Sequence, residues 1–171
     1  MRLVHYDYAE KGAYFITVCT YDRGCLFGDI VDIEMQMNRW GEIADECWQA
    51  IPIHFGNVEL DAVVVMPNHV HGIIMITDVG ATHASPLHSP MPTIPNGPKP
   101  RSIGAIIGSY KSGVSKRING TCATLGKTVW QRNYYEHIIR HEAELDLIRQ
   151  YIESNPARWA EDRENPNGKK E

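Results

Sequence analysis

Long hydrophobic runs are missing from this sequence of 171 residues. No stretch approaches the roughly 18 consecutive apolar residues of a membrane-spanning helix. The first residues, Met1 to Tyr8, contain no apolar core of signal-peptide length, so we expect a cytoplasmic protein without a membrane partner. Only four cysteines are present, and they have neither the spacing of a zinc site nor the density of a disulfide framework. Internal repeats are also absent.

Basic residues are scarce in most of the chain, whose net charge is −4. Residues 1–98 hold four Lys or Arg against twelve Asp or Glu, and residues 141–171 hold five against eight. Residues 99–140 reverse the balance, with eight basic residues against one acidic residue. This basic segment is either a local phosphate-binding surface or a solvated helix face, and charge alone does not separate the two.

The remaining composition is that of a soluble globular protein, with 43% apolar and 22% charged residues. The length indicates one domain over residues 1–159, followed by a polar tail over residues 160–171. Residues 78–100 contain six of the ten prolines and predict an extended loop within that domain.

Hydrophobic periodicity predicts seven elements in the order strand, helix, strand, strand, helix, strand, helix. This order is that of the ferredoxin-like (split βαβ) fold, an α+β fold, so we expect a four-stranded antiparallel sheet with helices on one face and one extra C-terminal helix. The predicted strands cover residues 13–21, 58–66, 69–77 and 128–139. The predicted helices cover residues 33–50 with Asp32 as N-cap, residues 103–119 with Ser102 as N-cap, and residues 142–154.

Two histidines interrupt the most apolar of these strands, in Met66-Pro67-Asn68-His69-Val70-His71. Residues i and i+2 of a strand point to the same face, which places the two imidazoles about 6–7 Å apart at the backbone. Such a pair can chelate a divalent ion with a third ligand, or it can be satisfied by ordinary hydrogen bonds. A metallo-hydrolase His-x-His-x-Asp motif is excluded because Ile73 stands at the Asp position.

A second candidate pair, Tyr151 and Asn155, lies four residues apart and therefore on one face of the last predicted helix. Taken alone, Tyr151 would be a packing residue and Asn155 a helix-end residue before Pro156. Three other tyrosines, Tyr110, Tyr134 and Tyr135, compete with Tyr151 as candidate functional residues.

Four segments of the chain together resemble the HUH-type single-tyrosine transposases, and most closely the REP-associated tyrosine transposase branch. The resemblance covers about residues 5–159 and is carried by Tyr14-Phe15-Ile16-Thr17-Val18-Cys19-Thr20, Val65-Met66-Pro67-Asn68-His69-Val70-His71, Val129-Trp130-Gln131-Arg132-Asn133-Tyr134-Tyr135-Glu136-His137-Ile138-Ile139-Arg140 and Tyr151-Ile152-Glu153-Ser154-Asn155-Pro156.

The resemblance implies a metal-dependent single-stranded DNA endonuclease and strand transferase. His69, His71 and Asn155 would hold Mg²⁺ or Mn²⁺, and Tyr151 would attack the scissile phosphate to form a 5′-phosphotyrosine. The partner would be REP-like hairpin DNA, and the protein would be nucleoid-associated, as a monomer or a homodimer. We expect the DNA surface to draw on the basic residues Lys111, Lys116, Arg117, Lys127, Arg132 and Arg140.

Two other functions compete with this hypothesis. The chain could be a domesticated hairpin-binding protein without catalytic activity, or an unrelated two-histidine metal enzyme acting on small molecules. The basic segment and the Tyr151–Asn155 pair disfavour the small-molecule enzyme. Glu136 and His137 match the family motif but receive no role from the sequence.

Overall fold

The computed structural model describes residues 11–77, 99–121, 126–166 and 168. Of the predicted loop and tail, residues 78–98, 167 and 169–171 lie outside this part. The strands are β1 (Gly12–Cys19), β2 (Gly28–Val31), β3 (Glu34–Met37), β4 (Val58–Met66), β5 (His69–Ile76) and β6 (Tyr135–Ile139). The helices are α1 (Arg39–Gln49), α2 (Ile51–His54), α3 (Ile103–Thr121) and α4 (Glu142–Ser154). None of these helices is long and apolar enough to cross a bilayer.

Four of the strands form one antiparallel sheet in the order β4-β5-β1-β6. The chain runs through this sheet as β1-α1-β4-β5-α3-β6, which confirms the predicted ferredoxin-like fold. The two histidines lie on β5, a central strand, where Cys19 pairs with His69 and Thr17 pairs with His71.

The two faces of the sheet carry different helices. Alternate residues of β1, including Tyr14, Ile16 and Val18, face α1 and α3 in the main hydrophobic core. On β5, Gly72 lies against the indole of Trp48, and a Cβ there would come within 2.3 Å of the ring, so no larger residue fits. The other face packs against α4 through a smaller apolar cluster, so the extra helix and the histidines share one side of the sheet.

The predicted helix over residues 33–50 with Asp32 as N-cap is wrong in its first turn. Asp32 and Ile33 have φ of 49° and 63°, and they form the tight turn that joins β2 to β3. The helix begins after Asn38, whose side-chain oxygen accepts from the amides of Trp40 and Gly41. Ile33 fits the helical period by coincidence, and its side chain is 68% exposed.

The predicted strand over residues 128–139 is regular only from Tyr135 onward. Residues 128–134 make a single bridge to the sheet, between Thr20 and Trp130. The carbonyls of residues 131–133 accept instead from Lys111 Nζ, which removes them from strand pairing. The other predicted elements agree with the structure within a few residues, and Ser102 caps α3 as predicted by accepting from the amide of Ala105.

Residues 160–166 belong to the predicted polar tail and pack against the sheet. A 3₁₀ turn over Pro156–Glu161 leads into this segment. Asn68 donates to the Glu164 carbonyl at 2.6 Å, and the Glu164 carboxylate pairs with Arg23 at 3.2 Å. These contacts join groups far apart in the chain, so the polar composition of the segment could not indicate them.

Candidate active site

The chemical state of His69 is determined by its neighbour Asn68. Both hydrogens of the Asn68 amide are donated, one to the carbonyl of Arg23 and one to that of Glu164. The Asn68 oxygen therefore faces His69 Nδ1 at 2.8 Å and can only accept. Consequently Nδ1 carries the ring proton, and His69 Nε2 presents a lone pair, as a metal ligand requires.

His71 is held in a similar way by Thr17 on the neighbouring strand. Its Nδ1 lies 2.8 Å from Thr17 Oγ1, and its ring stacks on Phe15 at 5.3 Å between centroids. When the proton is on Nδ1, His71 Nε2 accepts from the Tyr151 hydroxyl at 3.2 Å. The two imidazole rings lie 4.3 Å apart on the face of the sheet that α4 covers.

Tyr151 and Asn155 reach this point from α4. Ile152 between them is buried against the sheet, which turns Tyr151 toward His71 while its side chain stays 38% exposed to solvent. Asn155 is 2% exposed, and its side-chain oxygen is buried without a hydrogen-bond partner. Both residues line a cavity of about 700 Å³ that also contains His71.

Asp162 is a functional candidate that sequence reasoning missed. Ligand atoms of His69, His71 and Asp162 lie within 4.8 Å of one another, and the Asp162 carboxylate is 3.9 Å from His69 Nε2. The residue fell in the predicted tail, and its only sequence signal was its place shortly after Asn155. Carboxylate and amide oxygens suit Mg²⁺ and Mn²⁺, and imidazole nitrogen is a ligand of divalent transition metals, so this mixed donor set fits a divalent cation.

Two buried atoms support that fit. His69 Nε2 and Asn155 Oδ1 have no hydrogen-bond partner, although most buried polar atoms have one. The other ring nitrogen of His69, Nδ1, is bound to Asn68. A cation bound between His69 Nε2 and Asn155 Oδ1 would satisfy both.

Burial keeps the histidines neutral and the tyrosine protonated. Loss of solvent lowers the pKa of His69 to about 4 against the raising effect of Asp162. Loss of solvent together with the charge of His69 lowers the pKa of His71 well below its usual range. Burial and the nearby Asp162 carboxylate raise the pKa of Tyr151, and the Asn155 side chain partly opposes this shift. Neutral imidazoles are the form that binds metal.

The rival tyrosines do not share the hydrogen bond that joins Tyr151 to His71. Tyr110 is buried on the opposite face of the sheet, packed on Trp48 and Trp130. Tyr134 and Tyr135 line the cavity, but neither makes a hydrogen bond to His69 or His71. His137 of the same motif pairs with Glu144 at 2.7 Å and so ties β6 to α4.

The six basic residues predicted to bind DNA fall into two groups. Lys111 is half-buried and donates to backbone carbonyls, while Arg117 is paired with Glu46. Within the described residues, the other four have exposed side chains and no ion pair: Lys116, Lys127, Arg132 and Arg140.

The chain is similar to a protein known from its sequence and to a solved structure. No family model matches the chain. An uncharacterized protein of Haemophilus influenzae is 41% identical over 163 residues, which cover 95% of this chain and 89% of that protein. The structure of a REP-associated tyrosine transposase bound to a REP hairpin has a TM-score of 0.59 at 18% identity, covering 93% of this chain and 74% of that one. The chain therefore belongs to the same family as the Haemophilus influenzae protein, and its fold is that of the REP-associated tyrosine transposase.

Proposed function

We propose that this protein is a metal-dependent single-stranded DNA endonuclease and strand transferase of the HUH single-tyrosine type. The observation that carries the proposal is the meeting of the Tyr151 hydroxyl with His71 Nε2 at 3.2 Å, beside His69 and Asp162. Residues of β5, α4 and the C-terminal segment converge there from one chain, so a second subunit is not needed to complete the site.

His69, His71 and Asp162, with Asn155, would hold the divalent cation. The bound ion would polarise the scissile phosphate and offset the negative charge that develops on its oxygens. Asn68 and Thr17 each bind the Nδ1 atom of one imidazole and so orient its Nε2 atom toward the site. The residues present therefore suit Mg²⁺ or Mn²⁺.

Tyr151 is the proposed nucleophile. Its oxygen forms a bond to phosphorus, the bond from phosphorus to the 3′ oxygen breaks, and the net proton transfer is from the phenol to that 3′ oxygen. The products are a 5′-phosphotyrosine and a free 3′-OH. Since the phosphodiester bond is exchanged and not hydrolysed, rejoining requires no nucleotide cofactor. The 38% exposure of the Tyr151 side chain leaves it accessible to a DNA strand.

Hairpin DNA is the proposed substrate. The solved REP-associated transposase of the same fold is bound to a REP hairpin, and this chain carries four exposed unpaired basic residues within its described part, between positions 116 and 140. Such residues would bind phosphates without reading sequence.

A covalent-trapping assay tests the proposal. Labelled hairpin DNA from the protein's own genome is incubated with the protein and Mn²⁺, and a denaturing gel reveals any protein–DNA adduct. We expect an adduct with the wild type and with Tyr134→Phe, and none with Tyr151→Phe. An adduct that survives Tyr151→Phe would refute the nucleophile. DNA binding without any adduct would instead indicate an inactive hairpin-binding protein.

A further inference from the structure

One wall of the cavity is formed by Gln131, Asn133, Tyr134 and Tyr135, which have no role in the proposed chemistry. This segment is irregular, yet its backbone is fixed on one side. Lys111 Nζ donates to the carbonyls of Gln131, Arg132 and Asn133, and the indole of Trp130 donates to the Lys111 carbonyl at 3.1 Å. The amide of Gln131 in turn donates to the carbonyl of Cys19 on β1 at 3.0 Å. The half-buried ammonium group of Lys111 thus organises the wall.

The carbonyls of this wall point toward α3, and the side chains of Gln131 and Asn133 line the cavity. Within the described residues, neither side-chain amide makes a hydrogen bond to the protein. A carboxamide offers two donors and an acceptor, the combination that Asn and Gln use to recognise base edges. Two such groups on a fixed backbone are therefore available to a ligand in the cavity.

Tyr135 completes the wall with an exposed aromatic ring. It lies on β6 opposite Thr17, and 51% of the residue is exposed. Its ring and that of Phe15 form an edge-to-face pair with centroids 6.3 Å apart. The Phe15 ring also contacts the rings of His71 and Tyr151, with centroid distances of 5.3 and 6.0 Å. A continuous aromatic layer therefore connects the nucleophile to an open ring face, the kind of surface on which single-stranded bases stack.

We propose that this wall is a nucleobase-binding subsite for a nucleotide next to the scissile phosphate. Tyr135 stacks on the base, and the amides of Gln131 and Asn133 contact its edge. The cavity volume of about 700 Å³ lies within the range of small-ligand pockets and accommodates one nucleotide. This inference rests on the proposed function, because the nucleotide would belong to the strand that Tyr151 cleaves.

The test uses the Tyr151→Phe protein, which binds without cleaving, and a DNA hairpin with a single-stranded thymidine flank. One thymidine at a time is replaced with 2-aminopurine, whose fluorescence falls when it stacks. We expect quenching at one flank position. Adding Tyr135→Ala should restore the fluorescence and weaken binding about tenfold, whereas Tyr135→Phe should retain both. Gln131→Ala and Asn133→Ala should keep the quenching but reduce the preference among the four bases at that position about tenfold.

Tyr21→Ala is the matched control, because Tyr21 is 54% exposed but lies outside the cavity lining. This variant should leave quenching and affinity unchanged. If quenching persists in Tyr135→Ala, or is lost equally in Tyr21→Ala, the subsite is refuted. If the subsite is refuted while the wild type still forms its covalent adduct, the proposed function stands. If the wild type shows neither an adduct nor DNA binding, the proposed function is refuted as well.

Discussion

Two buried acceptor atoms without a hydrogen-bond partner bear most directly on the candidate metal site. His69 Nε2 and Asn155 Oδ1 are both buried, and a buried polar atom without a partner costs about 1–3 kcal/mol of stability. A cation that bound both atoms would offset that cost. Metal binding and folding stability are therefore expected to be linked.

Asp162→Asn should weaken Mn²⁺ binding. The substitution removes the negative charge that faces His69 Nε2 but keeps the size of the side chain. We expect the dissociation constant to rise at least about tenfold, and the increase in melting temperature produced by Mn²⁺ to shrink accordingly. Isothermal titration calorimetry on the full chain measures the first quantity, and thermal unfolding measures the second.

Glu161→Gln is the control for this substitution, since Glu161 is the adjacent acidic residue, lines the same cavity and lies outside the three-residue ligand cluster. It should leave Mn²⁺ affinity within about twofold of the wild type. Equal losses in Glu161→Gln and Asp162→Asn would mean that the segment contributes only general negative charge, and Asp162 would not be a ligand.

The same residues show how far the sequence could predict the site. His69, His71, Tyr151 and Asn155 carry a local signal, because i to i+2 on a strand and i to i+4 on a helix place side chains on one face. Asp162 carries no such signal: its position depends on how the chain turns after Pro156. The tautomer of His69 likewise depends on carbonyls far from Asn68 in the sequence.

At the scale of elements, the attachment of α4 decides where Tyr151 lies. Only two residues of this helix are buried, Leu145 and Ile152. The helix is also tied to β4 by Arg149, which binds both oxygens of Asp61 at 3.0 and 2.7 Å. Asp61 sits at an irregularity in the β4–β5 pairing, and its oxygen also accepts from the amide of Ala62. A bidentate pair of this kind fixes direction as well as distance.

This pair predicts a pH-dependent contribution to stability. Hydrogen bonding by Arg149 holds the pKa of Asp61 below its ordinary value of 3.8, so the folded state binds that proton less readily than the unfolded state. The contribution is complete above 3.8 and is lost as the pH falls through the lower folded value. We expect about 1 kcal/mol between the wild type and Asp61→Asn near neutral pH, vanishing in acid.

Urea unfolding of both proteins across this pH range measures the difference in free energy. Glu59→Gln, which alters an exposed carboxylate on the same strand, is the control and should change the free energy of unfolding much less than Asp61→Asn does at neutral pH. If the Asp61→Asn difference stays constant as the pH is lowered, Arg149 contributes packing and not charge to the attachment of α4.

Elements were predictable where they are long and continuous. β4, β5 and α4 have the predicted residues almost without change because their apolar period is uninterrupted. The β2–β3 hairpin was missed since Asp32 and Ile33 adopt positive φ without the glycine or asparagine that usually marks such a turn. Nothing local distinguished Ile33 from the first residue of an amphipathic helix.

At the scale of the whole molecule, the proposed function requires an acidic protein to bind an acidic polymer. The net charge is −4, so long-range attraction to DNA has to come from the basic segment over residues 99–140. The basic residues of that segment differ in whether they already have an ion-pair partner or are free to bind phosphate. Arg117 is already paired with Glu46, whereas Lys127 and Arg132 are exposed without an ion pair among the described residues.

The salt dependence of DNA binding should therefore reveal which basic residues contact phosphate. Each phosphate contact adds about 0.7–0.9 to the slope of log affinity against log salt concentration. We expect Lys127→Ala and Arg132→Ala each to reduce the slope by about that amount and to weaken binding to all sequences alike, as phosphate contacts do. Fluorescence anisotropy with a labelled hairpin, repeated over a series of salt concentrations, measures the slope.

Arg39→Ala is the control on the acidic part of the chain, because Arg39 is exposed but paired with Glu42 at 3.0 Å. Its loss should leave the slope unchanged, since the slope counts ions released from the DNA and Arg39 would touch none of its phosphates. Arg117→Ala should resemble this control because Glu46 already neutralises the guanidinium. If all four variants instead reduce the slope equally, attraction depends on net charge alone, and the exposed basic residues are not a phosphate-binding surface.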